Sequence, residues 1–223
     1  MKICVYTAIF GDYTKLNRPR ALSESVDLIC FTEKTRGIGL GWELRLRRPV
    51  FAHPRMDSKW FRMNSDLVLP EYDVTIWVDA SFQLGDVDKF VEFCLDGMKL
   101  YPTAMFLHPE RTDIYTEAAA SMEVWRNKYA DEPLMEQVEI YRRQGLPDNH
   151  KLWAGGIQIR DNRSPTVADL NRRWFAECVR WSTQDQLSLP YVLWRLGHTS
   201  LIAPLSGSVY QGPHYEWARG EDR

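Results

Sequence analysis

The stretch Asp73-Val74-Thr75-Ile76-Trp77-Val78-Asp79-Ala80-Ser81 decides how this chain is read. From Val74 to Val78 every residue is β-branched or aromatic, without the alternation of a half-exposed strand. A run of that kind is a strand covered on both faces. Such strands belong to sheets flanked by helices. The run stops at Asp79, so a carboxylate stands at the carboxyl end of a buried strand. That is where open α/β sheets bind their ligands.

Working outward from it, further strand-like runs occupy 3–9, 27–32, 42–47, 103–107, 152–159 and 199–203. Between them the hydrophobic period changes. In 55–67, Met56, Trp60, Met63 and Leu67 fall on one helical face. In 86–99, Val87, Phe90, Cys94 and Met98 do the same behind Asp86, a residue suited to an N-cap. The stretches 112–129, 132–144, 165–180 and 185–196 also fit helices. The alternation predicts an α/β fold with a mostly parallel, Rossmann-like central sheet flanked by helices. No repeat or linker divides the 223 residues, so 1–223 reads as a single domain. The polar and aromatic segment 206–223 reads as a surface piece that folds over a site or stays mobile.

Composition narrows the function. The chain is 44% apolar and 26% charged, an ordinary globular balance. With 28 basic and 30 acidic residues it has no basic excess to grip nucleic acid. Its 13% aromatic share includes 9 Trp, residues that serve both cores and sugar-stacking faces. Four cysteines form no C-x-x-C pair, and Cys4, Cys30 and Cys94 lie inside apolar runs. A reducing, cytoplasmic setting is expected. No run approaches the roughly 18 apolar residues of a membrane span. The apolar N-terminus lacks a small-residue cleavage site and ends at Gly11-Asp12-Tyr13, so it reads as a first strand rather than a leader.

Candidate chemistry gathers at strand ends. Thr7, Ala8 and Gly11 are small enough for a nucleotide to approach the backbone, and Asp12 could accept a bond from ribose. A plain strand-to-loop turn is the other reading. Asp79 suits Mg²⁺ or Mn²⁺, hard cations that take one or two carboxylates plus phosphates and water; it would equally serve a turn. Gly155 and Gly156 interrupt an apolar strand, which marks a bulge or a close approach. Asp185 opens a helix, where it is either a charge favoured by the helix dipole or a carboxylate aimed at an acceptor hydroxyl. Arg55, Lys59 and Arg62 lie on one helical sweep and could neutralise a pyrophosphate or simply be solvated. His108, Arg111 and Glu117 cluster at another strand end, and Trp153 begins the strand with the glycine pair. They are candidates for the acceptor side or for support. His214, late in the chain, is a metal or phosphate ligand or a surface histidine.

The order of these features resembles the GT-A class of nucleotide-sugar glycosyltransferases. More closely, nearly the whole chain resembles a glycosyltransferase-like domain family known from plant turgor and mucilage proteins, with bacterial and viral relatives. The resemblance is carried by Val5 to Gly11 with Tyr13, by Cys30-Phe-Thr-Glu33 and by Gly41-Trp42. It continues through Pro54-Arg55 to Lys59, Pro70-Glu-Tyr-Asp73 and Ile76-Trp-Val-Asp79. His108-Pro-Glu-Arg111 with Tyr115 and Glu117, and Asp185-Gln186, complete it.

The resemblance implies a nucleotide-diphosphate sugar donor and a hydroxyl acceptor on a glycan, a protein or a small molecule. It implies that Asp79 is the first carboxylate of an Asp-x-Asp metal motif for Mn²⁺ or Mg²⁺, with His214 as a late metal or diphosphate ligand. Thr7, Ala8, Gly11, Asp12, Tyr13, Arg55, Lys59 and Arg62 would serve the donor, and Gly155 and Gly156 would flank its sugar. Asp185 would be the acidic residue near the acceptor, a general base if the enzyme inverts and a positioning charge if it retains. One departure stands out: the motif reads Asp79-Ala80-Ser81, so its second carboxylate is missing. A sugar nucleotidyltransferase is disfavoured, because Thr7-Ala-Ile-Phe-Gly11 is not a Gly-rich, Arg-bearing triphosphate loop. The alternative from another class is a non-catalytic protein that binds nucleotide sugars or partners.

Overall fold

The computed structural model describes residues 1–12, 14–35 and 40–218. Its strands are β1 (Ile3–Ile9), β2 (Asp27–Thr32), β3 (Glu43–Leu46), β4 (Val74–Val78) and β5 (Phe82–Leu84). They continue with β6 (Thr103–Leu107), β7 (Trp153–Asp161), β8 (Ile202–Pro204), β9 (Gln211–Gly212) and β10 (Tyr215–Trp217). The helices are α1 (Pro54–Met63), α2 (Ser65–Val68), α3 (Val87–Met98), α4 (Ile114–Val124), α5 (Arg126–Tyr129), α6 (Leu134–Arg143), α7 (Pro165–Arg180) and α8 (Asp185–Arg195).

A seven-stranded sheet runs β3-β2-β1-β4-β7-β6-β8. Every pairing in it is parallel except those of β7, which lies antiparallel to both β4 and β6. The mixed α/β architecture expected from the alternating pattern is therefore the one observed. Because β7 is reversed, its first residues share an edge with the last residues of β1, β4 and β6. That shared edge is the frame of the site.

Both faces of the sheet are covered, as the continuous apolar runs require. On one face Tyr6 and Trp77 meet edge-to-face at 5.3 Å, and Phe61 of α1 stacks on Phe10 and Phe31 at 5.3 and 4.4 Å. On the other, Val5, Ile76, Val78 and Ile157 pack with Val87, Phe90 and Cys94 of α3. The helix starts follow local chemistry. Asp86 caps α3 by accepting from the Lys89 N–H, and Ser164 caps α7 ahead of Pro165. All four cysteines are buried thiols. No helix among the described residues is long and apolar enough to cross a membrane.

Three expectations need correction. The run 55–67 is two helices, because Asn64 (φ −122°, ψ 43°) leaves the helical region and its amide side chain bonds the Trp60 carbonyl. The run 112–129 likewise breaks at Trp125. The segment from 206 is not a loose piece as far as it is described. Its strands β9 and β10 form a second sheet with β5, and Val209 and Tyr215 are buried. Residues 219–223 lie outside the described residues.

Candidate functional site

The site is assembled at the carboxyl end of β4. Asp79 follows Val78 directly, and its N–H donates to the Gly156 carbonyl at 2.8 Å. The Trp77 indole N–H donates to Asp79 Oδ1 at 2.8 Å. That fixes the carboxylate and leaves Oδ2 without a hydrogen-bond partner among the described residues. Burial pushes the Asp79 carboxyl above the usual carboxylate range, against the pull of nearby Arg62.

Opposite Asp79, β7 departs from regular pairing. Met105 of β6 faces Gln158, but the next residue, Phe106, faces Ala154. Residues 155–157 are left over as a bulge, which is where both glycines fall. Each glycine makes room for a particular side chain. A Cβ on Gly155 would run into the Arg62 guanidinium, and one on Gly156 would lie 2.8 Å from the Phe82 ring.

Asp185, at the first turn of α8, meets the cations of α1. Its Oδ2 accepts from Lys59 Nζ and from Arg62 Nη1, both at 2.5 Å. The carboxylate and Arg62 are each only 5% exposed. Burial pushes the Asp185 carboxyl up, but Arg62 and Lys59 outweigh it and hold it below the usual range. The Trp174 indole N–H bonds the Asp185 carbonyl at 2.8 Å and pins the start of the helix.

Arg55, one turn before Lys59, donates to Glu132 at 3.2 Å and to the Lys128 carbonyl at 2.6 Å. Glu132 in turn accepts from the Thr183 hydroxyl at 2.7 Å, two residues before Asp185. A second polar cluster joins through Gln184. Its amide donates to Glu117 at 2.9 Å, and the buried Glu117 also accepts from Ser121 and Arg111. His108 stands 3.6 Å from Glu117, its ring pushed below the usual histidine range by burial and by Arg111. The loop 182–185 is thus the hub that ties both clusters to one sheet edge.

A family model, that of the TOD1/MUCI70 glycosyltransferase-like domain, matches residues 31–205. The chain belongs to this family. The fold is also similar to the apo crystal structure of mouse xyloside xylosyltransferase 1, with 11% identity and a TM-score of 0.49. That similarity covers 92% of this chain and 84% of the other. No curated protein matches the sequence.

For this glycosyltransferase-like domain, the expected residues divide in two. Asp79, Gly155, Gly156, Lys59, Arg62 and Asp185 come together, with Arg55 one step behind. His108, Arg111 and Glu117 form the adjoining cluster. Others stand differently. Thr7 and Ala8 are 0% and 2% exposed, so their side chains support the strand end rather than face a cleft. Trp153 is buried in the core at 1% and offers no stacking face; its carbonyl accepts from Gln186. The Gly11 N–H donates to Glu33, and Asp12 pairs with Lys34 at 2.5 Å. Tyr13 lies outside the described residues.

His214 is not brought to Asp79. Its carbonyl accepts from the Gly85 N–H at 2.7 Å, at the far end of β5. Three residues of strand, roughly 10 Å, separate that end from Phe82, whose N–H bonds the Asp79 carbonyl.

The donor set around Asp79 does not fit a divalent metal. Among the described residues no three His, Cys, Asp or Glu side chains gather to hold one. Asp185 is committed to two cations, and Ala80 and Ser81 supply no second carboxylate. One carboxylate with substrate phosphates can suffice for Mg²⁺, but here Lys59 and Arg62 already crowd the position with positive charge.

Several members of the site carry no sequence signal of their own. Glu132, Lys128, Gln184 and Trp174 sit in ordinary amphipathic helices or turns, and only the contacts that α1, α5, α7 and the turn before α8 make with one another reveal them.

Proposed function

We propose that this chain is a glycosyltransferase that moves a sugar from a nucleotide-diphosphate sugar to a hydroxyl acceptor. One observation carries the reading. In a member of a glycosyltransferase-like family, a strand-terminal carboxylate with an open oxygen stands beside a row of cations at the ligand-binding edge of the sheet. Asp79 Oδ2 is suited to accept from donor hydroxyls. The cations of α1 are suited to the diphosphate.

In the reaction the acceptor oxygen bonds to the anomeric carbon, and the bond from that carbon to the diphosphate oxygen breaks. The electron pair stays on the diphosphate, where fixed cations stabilise it. The acceptor proton passes to the departing diphosphate or to water. A carboxylate whose oxygen is clamped by two cations is a weak base. In this reading Asp185 therefore positions Lys59 and Arg62 and lends negative charge near the oxocarbenium-like sugar.

The test is release of nucleoside diphosphate from a panel of nucleotide sugars, with and without hydroxyl acceptors. Wild-type protein is expected to turn over at least one donor. Asp79→Asn should slow it by about 100-fold or more, because donor placement is lost. No release from any donor by folded protein would sink the reading. It would favour a non-catalytic nucleotide-sugar-binding protein, the alternative to which the missing second carboxylate points.

A further inference from the structure

The charges at this edge of the sheet do not balance. Arg55, Lys59 and Arg62 form one stripe on α1, and α5 adds Lys128 from above. Against these four cations stand Asp79, Asp185 and Glu132. Lys59 and Arg62 share Asp185, and Arg55 takes Glu132. Lys128 has no ion pair among the described residues. Its ammonium rests 5.1 Å from the Tyr129 ring centre and 6.0 Å from that of Trp125.

Three further observations point the same way. Lys128 is an exposed residue whose ammonium lies within the field of the α1 cations. Burial, and after it Lys59 and Arg55, push it down to about 8, while Asp185 and Asp79 pull the other way. Arg62 Nε and Nη2 are buried and without a hydrogen-bond partner. So is Arg55 Nη1. Buried guanidinium N–H groups left without acceptors are costly, and an anion satisfies that kind of surplus.

We propose that Lys128, with Arg55 and Lys59, stands in for a divalent metal by neutralising the diphosphate of the donor, so that donor binding needs no metal ion. The inference rests on the glycosyl-transfer reading for the identity of the anion. The chemistry is sound on both sides. A diphosphate presents several acceptor oxygens, and an ammonium has three donors, so Lys59 can keep Asp185 and still reach a phosphate. The cations also explain why Ala80 and Ser81 can replace a second carboxylate. With part of the diphosphate charge met by lysine and arginine, a metal bridge has less charge left to neutralise.

The experiment is calorimetric titration with inorganic pyrophosphate and with UDP, GDP, ADP and CDP, in excess EDTA and again with Mn²⁺. At least one diphosphate is expected to bind with affinities that agree within about threefold between the two conditions. Lys128→Ala should weaken it by about tenfold or more, and Lys128→Arg should restore most of the loss, as for a charge-assisted phosphate contact. The melting temperature of Lys128→Ala without ligand controls for folding and is expected to match wild type. Affinity that collapses in EDTA overturns the inference, as does a Lys128→Ala variant that binds like wild type. Absence of diphosphate binding in both conditions overturns it as well. Failure of the underlying reading looks different: metal-free diphosphate binding with no turnover of any nucleotide sugar leaves the cation site standing and removes the enzyme.

Discussion

One oxygen of Asp185 holds two cations, and this has consequences for stability before any for catalysis. Asp185→Asn leaves the buried Arg62 without its partner. The expected cost is about 3 kcal/mol, typical of breaking a buried pair from one side, read from urea unfolding at neutral pH. The folded-state carboxyl titrates below its ordinary value of 3.8. Its contribution is therefore present above that value and is lost as pH falls through the lower, folded-state value. Wild type and Asp185→Asn should differ most near neutrality and converge in acid. Parallel curves down to low pH would mean the ion pair adds nothing. Gly155 belongs to the same group, since it leaves room for the Arg62 guanidinium. Gly155→Ala is expected to cost about 1–3 kcal/mol by overpacking, and less when Arg62 is already Lys. A double-mutant cycle measures that coupling, and additive costs would place the strain elsewhere.

At the level of elements, the small sheet of β5, β9 and β10 is what holds the loop after Asp79 in place. Tyr215 packs against Phe82, Phe90, Phe93 and Phe106, with ring centres 5.8–6.3 Å away. Phe82 in turn lies over Gly156. Tyr215→Ala is expected to cost about 3–5 kcal/mol, as for other large aromatic truncations in a core. Tyr215→Phe, which loses only the 2.7 Å bond to the Ser208 carbonyl, should cost about 1 kcal/mol. Equal, small effects in thermal unfolding would show that this sheet is peripheral. Sequence patterns revealed the long elements and not this sheet. Ser164 and Pro165 announce α7, and it spans 165–180 as expected. By contrast β9 is two residues long, and the hairpin it makes with β10 becomes a sheet only by pairing β10 with β5, which is distant in sequence, so no local period marks it.

For the molecule as a whole, β1, β4 and β7 are central and covered on both sides, while β5, β9 and β10 form a short outer sheet. Native-state hydrogen exchange should follow that order. Amides of Cys4–Ala8, Val74–Val78 and Ile157–Ile159 are expected to exchange only on global unfolding, and those of β9 and β10 at lower free energy. Uniform exchange would mean that the two sheets unfold together. The geometry also places the site where three parts of the chain meet: α1, the start of α8 and the bulge in β7. Function then depends on packing across long sequence distances, and substitutions in Trp174 or Phe175 should disturb it without touching a ligand.

The α/β class, the long strands and helices, the family resemblance and the position of Asp79 at a strand end are legible in the amino-acid order alone. These follow from local periodicity, from capping chemistry and from the abrupt end of an apolar run, all of which are written within a few residues of one another. What surrounds Asp79 and Asp185 is set by the folded chain. A carboxylate at the start of a helix looks the same in sequence whether it faces water or two cations 123 and 126 residues away. The same holds for Lys128, which reads as one more helical lysine. His214, which the resemblance joined to Asp79, is set apart by the length of β5. Burial, pairing and the surplus of positive charge arise from contacts between distant segments, and no local pattern encodes them.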